Sequence, residues 1–261
     1  MKLSSSTITL TFGDQAENHV GMQKLGELAT CGFSLEDLHQ AQIKFERAGC
    51  ECEFIFLSDF VDIDDVPDAA VLIIRQGLDT VLEPMGANDL DMLLEQQNLE
   101  WDSKAKMYGR VVQKHARHNL CYGDATQEPD YENGLGRIIS WDQIPCTKFF
   151  QRNIHKYVGS KAKNLVAEGN LYFDLKKCGI SHHGDSERKK VIAVRLGGSM
   201  PLCYQWFFNN EPIGHKIKLM LNHGDIYIMS EIATGNNWKK KLIPTLRHAA
   251  GSKKYLTIKK N

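Results

Sequence analysis

No two cysteines are spaced as C-x-x-C, and the seven present (Cys31, Cys50, Cys52, Cys121, Cys146, Cys178 and Cys203) are an odd number scattered along the chain. That argues against a disulfide frame and against a cysteine-rich structural zinc site, and it points to a reducing compartment. There is no excess of either charge, since 32 Lys and Arg balance 32 Asp and Glu. Bulk attraction to nucleic acid or to a membrane surface is therefore missing, and any such contact needs a local patch. No apolar run approaches the length of a membrane span. The opening MKLSSSTITLTFG lacks the apolar stretch of a secretory signal. Repeats and low-complexity segments are absent too. These absences predict an intracellular protein, in cytoplasm or nucleus, with no membrane partner.

What is present is an ordinary globular composition, 42% apolar and 25% charged over 261 residues, enough for one large domain or two small ones. Residues 1–100 read as an α/β region. Thr7 to Phe12 alternate like a strand, Ser34-Leu35-Glu36-Asp37 has the form of a capping box, and Leu35, Leu38, Ala41 and Phe45 follow at helical spacing. Cys52 to Leu57 and Val71 to Ile74 are strand-like, 78–82 and 89–99 helical, and 59–68 an acidic loop. Residues 101–261 have a different character. Strand-like runs dominate (136–141, 171–175, 191–196, 202–208, 217–221, 226–229 and 255–258), separated by turn signals, with one helix predicted over about 151–168. Many short strands at this spacing suggest a sandwich or barrel, such as a double-sheet jelly roll.

The chemistry concentrates in GISHHGDSE, residues 179–187. On an extended strand, residues two apart share a face, so His183 and Asp185 can chelate one ion, with Gly184 leaving the space between them clear. Downstream histidines that could add a third ligand are His215, His223 and His248. His223 sits in a predicted turn beside Asp225, itself read as a turn residue. Two histidines and a carboxylate form the facial triad of non-heme Fe(II) oxygenases. His182 alternates to the other face and reads as a supporting or surface residue. Arg195 either pairs a carboxylate near the site or reaches solvent. His19, His39 and Cys50-Glu51-Cys52 read as structural.

From about residue 104 onward the chain resembles the Fe(II)/2-oxoglutarate-dependent dioxygenase superfamily, in its AlkB-like branch. The likeness is an ordered series: MYGR (107–110), EGNLYFDLKKCGISHHGDSE, VIAVRLGGSMPLCYQWF, HGDIYIM and LRHAAGSKKYLTIKK. It implies an α+β protein with a double-stranded β-helix (jelly-roll) catalytic core, flanking helices and an N-terminal α/β extension of unknown role. It implies His183, Asp185 and His248 as the Fe(II) ligands and Asn170 and Tyr172 as contacts of 2-oxoglutarate. The cation for the far carboxylate is expected on the last strand, at Lys259 or Lys253, where AlkB-like enzymes usually have arginine. In NNWKKKLIP, Lys239 to Lys241 occupy a segment where several relatives carry the distal histidine. Either His248 is the ligand or the third ligand is lost.

The resemblance implies Fe(II), 2-oxoglutarate and O2 as cofactors. The reaction is expected to be hydroxylation or oxidative demethylation of a modified nucleobase in DNA or RNA. Tyr108, Arg110, Lys114, Arg117 and Tyr122 are the candidate substrate contacts, because basic residues match phosphates and rings stack on bases. Two rivals stand beside this reading. One is 2-oxoglutarate-dependent hydroxylation of a protein side chain or small metabolite. The other is a catalytically silent nucleic-acid-binding relative.

Overall fold

A computed structural model describes residues 5–63 and 65–258. The first strand, β1 (Thr7–Gly13), has the sequence TITLTFG. Its alternation sends Ile8, Leu10 and Phe12 into a hydrophobic core on one side and Thr7, Thr9 and Thr11 to the other. A small hairpin follows, β2 (Gln15–Glu17) and β3 (Lys24–Gly26). Helix α1 (Leu35–Arg47) begins at the expected capping box: the Ser34 hydroxyl accepts from the Asp37 N–H, and the Asp37 carboxylate accepts from the Ser34 N–H. Strands β4 (Cys52–Phe56) and β5 (Ala70–Ile74) and helices α2 (Gly77–Leu82) and α3 (Asp89–Gln97) lie where their periodicity predicts.

Next come the hairpin β6 (Lys104–Met107) and β7 (Arg110–Gln113), turned at Tyr108 and Gly109, both at positive φ. Then follow β8 (His118–Gly123), β9 (Ile138–Ser140) and helices α4 (Pro145–Asn153) and α5 (His155–Val158). The helix predicted over 151–168 is therefore shifted. Pro145 starts α4 in its first turn, Gly159 at φ 99° ends α5, and Val166 onward has a period of two, forming β10 (Val166–Tyr172). The chain continues through β11 (Gly179–His183), β12 (Val191–Gly197), β13 (Met200–Phe208), β14 (Glu211–Leu221), β15 (Ile226–Met229) and β16 (Thr245–Gly251). The strand predicted at 255–258 does not form: Gly251, at φ 114°, turns the chain into the single turn α6 (Lys253–Leu256).

Two mainly antiparallel sheets result. The larger has the order β4-β5-β15-β12-β1-β10-β8-β9, with only β8 and β9 parallel; the smaller has the order β11-β16-β13-β14. Residue 100 is thus not a boundary of the sheet. β1, the first strand in sequence, pairs with β10 on one side and β12 on the other, and β5 pairs with β15. One core joins the helices to the outer face of the large sheet through residues such as Phe45, Phe150, Ile192 and Val194. A second lies between the sheets and combines Val191, Ala193 and Tyr227 with Leu202, Tyr204 and Trp206. Trp206 is fully buried there, and its indole N–H donates to the Leu57 carbonyl at 2.8 Å. The chain is a mixed α+β, strand-rich protein whose two sheets pack as a sandwich.

Candidate metal centre

The triad predicted from sequence comes together. One ligand atom each from His183, Asp185 and His248 lies within 4.8 Å of the others, and both imidazole Nε2 atoms stand 3.5 Å from Asp185 Oδ1. The local backbone explains how. His248 shares the inner face of β16 with Leu246 and Ala250, which belong to the core between the sheets. On β11, Ile180 pairs with Ala250 and His183 with His248, so three steps on one strand match two on the other. The extra residue is a β-bulge, and it turns His183 to the same inner face.

Asp185 arrives differently from expectation. The strand ends at His183, and Asp185 lies in the following turn, where its N–H donates to the Thr234 carbonyl at 2.9 Å. Gly184 permits this. A Cβ there would overlap the Gly235 carbonyl oxygen and stand 2.7 Å from Trp238 Cδ1. The glycine is thus needed for clearance from the Gly235 turn and Trp238, rather than from the space between the two ligands.

The donor set fits a hard-to-borderline divalent ion with open positions. His183 Nδ1 is 2.8 Å from the Ser181 carbonyl, so that nitrogen carries the proton and Nε2 presents its lone pair to the centre. Loss of water, followed by the facing His248, pulls the His183 pKa down to about 3, which favours the neutral, ligating form. Burial by itself would raise the Asp185 carboxyl. The facing His248, with Arg188 and His183, holds it below the usual carboxylate range. Arg188 is itself buried and bonded to Glu168 at 2.7 Å and Glu187 at 2.8 Å, with Asp185 3.9 Å away.

The triad opens on a cavity of about 490 Å3 between the sheets. Asn170 and Tyr172 line it, as the Asn-x-Tyr spacing predicts, on the inner face of β10. Arg117 lines it too, and its Nε donates to Asn170 Oδ1 at 2.8 Å. The other predicted substrate contacts stand elsewhere. Tyr122 points to the helix side of the sheet, fully buried, with its hydroxyl on Gln96, because β8 alternates and Asn119 rather than Tyr122 shares the cavity face. Lys114 is buried outside the cavity and donates to Asn18 at 3.1 Å; burial lowers its pKa to about 8. Tyr108, 94% exposed, and Arg110 sit at the tip of the β6–β7 hairpin.

Lys253 is exposed on α6, away from the cavity, and Lys259 lies outside the described residues. The strand that would have aimed a lysine inward does not form. His223 has a structural role, accepting from the Gly197 N–H at 3.0 Å and standing 3.4 Å from Asp89; His215 is exposed. Asp225 is held by Arg75 at 2.5 Å and by the Asn222 N–H at 2.8 Å. His182 lies off the triad, beside the Phe207 ring, with its pKa lowered to about 4 by burial and then by Lys216. Lys239 and Trp238 line the cavity, and the Trp238 indole donates to Ser186 Oγ at 2.9 Å.

Sequence reasoning passed over one feature. Arg195, Thr9, Asn170 and Asn119 stand opposite one another on β12, β1, β10 and β8, forming a polar row across the cavity face. The signal was available in the alternation of β1, where three threonines occupy the face that faces the second sheet.

Among the described residues, no helix is long and apolar enough to cross a membrane. No known family model matches the chain. It is 45% identical over 253 residues to an uncharacterized protein of Acanthamoeba polyphaga mimivirus, an alignment spanning 96% of this chain and 97% of the viral protein. The chain belongs to the same family as that mimivirus protein.

Proposed function

We propose that the protein is an Fe(II)- and 2-oxoglutarate-dependent dioxygenase built on a jelly-roll core. The observation that carries the reading is the convergence of His183, Asp185 and His248 on the inner face of a sandwich, in the lining of a cavity. The pairing order β15-β12-β1-β10 facing β11-β16-β13-β14 supports the jelly roll, with β1 between β12 and β10.

Bound Fe(II), with 2-oxoglutarate and O2, would supply the oxidising power for hydroxylating a C–H bond, with loss of formaldehyde where the carbon is an N-methyl group. The chain's own residues hold the ligands and shape the space. Ser181 fixes the His183 tautomer, Thr234 fixes the Asp185 backbone, and His248, with Arg188 behind it, keeps Asp185 ionised. Asn170 is held from two sides, by Arg117 and by the Asn119 amide, so it is oriented before any ligand arrives. Val191, Leu202, Met229 and Ala250 supply an apolar stretch of the cavity wall.

For substrate, we propose a modified nucleobase in DNA or RNA. Trp238 offers a ring for stacking in the cavity lining, and Lys239, Arg117 and the exposed Arg110 offer charge for phosphates. A second reading, hydroxylation of a protein side chain or small metabolite, is favoured by the carboxylates of Glu17, Glu168 and Glu187 in the same lining, which repel phosphate.

The test is anaerobic titration of Fe(II) and 2-oxoglutarate into wild type, His183→Ala and His248→Ala, following the visible charge-transfer band. A band in wild type that vanishes in both variants supports the centre. A folded wild type without the band overturns it and leaves the silent binding module. Turnover stimulated by methylated oligonucleotides but not by peptides then decides the substrate class.

A further inference from the structure

A guanidinium keeps its charge at any ordinary pH, and burying it without a partner costs several kcal/mol. Arg195 is 1% exposed, yet its Nε and Nη1 have no hydrogen-bond partner and, among the described residues, no carboxylate pairs with it. Its position follows from β12, where Ile192, Val194 and Leu196 go to the helix-side core and Val191, Ala193 and Arg195 to the cavity side. Asp225, whose backbone carbonyl accepts from the Arg195 N–H, has its carboxylate already engaged by Arg75 and two backbone N–H groups, Gln76 and Asn222.

Directly across the strand pair from Arg195 stands Thr9, whose buried hydroxyl also lacks a partner. Residues opposite each other on neighbouring strands have their Cβ atoms about 4.5–5.5 Å apart on the same face, so the two unsatisfied groups are neighbours. Tyr172 and Tyr227 line the same part of the cavity, and the charge of Arg195 acts on both hydroxyls, as does that of Asp185. Both tyrosines line the same cavity as the triad and Arg195, and no ion pair joins Arg195 to Asp185. A ligand that satisfies both ends must carry one group for the metal and an anionic group a short chain away.

We propose that Arg195, with Thr9, anchors the remote carboxylate of a short dicarboxylic acid whose other end lies at the His183–Asp185–His248 centre. The inference rests on the oxygenase reading for the identity of that acid, 2-oxoglutarate, but assigns its anchor to β12 and to the N-terminal strand rather than to the lysines after His248. It also gives residues 7–13 a place in the site: β1 forms the floor on which the acid lies.

The test separates metal from acid. Co(II) is titrated first, by its visible absorption, and then 2-oxoglutarate and pyruvate, which lacks the remote carboxylate, are titrated calorimetrically into the Co(II)-loaded protein. Wild type, Arg195→Met, Thr9→Val and Lys253→Met are compared. Wild type is expected to prefer 2-oxoglutarate over pyruvate by on the order of 10- to 100-fold, the worth of a buried charge-assisted contact. Arg195→Met should lose that preference while keeping its Co(II) and pyruvate affinities, Thr9→Val should lose part of it, and Lys253→Met should match wild type. Arg195→Met with undiminished 2-oxoglutarate binding overturns the proposal. So does a wild type that binds pyruvate as tightly as 2-oxoglutarate, or neither acid, results that need no variant to fold. If wild type takes up no Co(II), the oxygenase reading fails instead. The anchor is then judged on glutarate against butyrate by thermal shift of the metal-free protein, and equal shifts overturn it.

Discussion

Substitution of Gly184 by alanine adds one methyl group where the backbone has no room for it. The new Cβ would overlap the Gly235 carbonyl oxygen and sit 2.7 Å from both the Gly235 carbonyl carbon and Trp238 Cδ1, against about 3.5–4.0 Å for a comfortable carbon contact. No flexible side chain can yield: Gly235 is itself at φ 69°, closing the short helix Ile232–Thr234, and the Thr234 carbonyl is the acceptor for the Asp185 N–H. Relief requires the ligand turn to move away from the Thr234–Gly235 turn, which breaks that bond or displaces Asp185 from the two histidines. Overpacking of this kind costs about 1–3 kcal/mol. At the middle of that range the apo protein should lose roughly 4–8 °C in Tm. Because Asp185 is the displaced ligand, metal affinity should fall on the order of 10- to 100-fold, as it does when ligand supports are removed elsewhere. Differential scanning fluorimetry in chelator gives the first quantity and Co(II) titration the second. An alanine variant with wild-type Tm and wild-type Co(II) affinity would refute the view that this glycine sets the ligand geometry.

Three further predictions follow from other contacts. Arg188→Met should destabilise the fold by about 3–5 kcal/mol, because it leaves Glu168, Glu187 and Asp185 facing one another without their shared cation; a loss under about 1 kcal/mol in urea unfolding would contradict that. Deleting residues 1–13 should give an unfolded or aggregated product by circular dichroism and gel filtration, since it removes the strand between β10 and β12; a folded, monodisperse 14–261 fragment would mean the sheet closes without it. The metal-free protein should lose stability between pH 7 and pH 5. His183 and His182 have folded pKa values of about 3 and about 4, below the 6.5 of the unfolded chain. Their contribution is therefore present above pH 6.5 and is lost as pH falls toward the folded values, because the unfolded state takes up the proton first. Thermal midpoints in chelator that stay level from pH 7 to pH 5 would show that neither ring is held neutral.

The sequence by itself determined the local elements and pointed to the three residues that converge, His183, Asp185 and His248. The capping box at Ser34, the alternation of β1 and β12 and the H-x-D spacing are short-range patterns, and short-range sterics and hydrogen bonding are enough to specify them. Tertiary structure decided the partners. That β1 would sit between β10 and β12 depends on pairings more than 150 residues apart in sequence, which no local pattern encodes. The same long-range pairing separated two cations: Lys253 went to a surface turn, while Arg195 came to stand beside Thr9 in the cavity lining. Tyr122 and Lys114 were drawn inward for a related reason. Which face of a strand meets solvent is fixed only when the layers pack, and packing put helices, not substrate, over Tyr122.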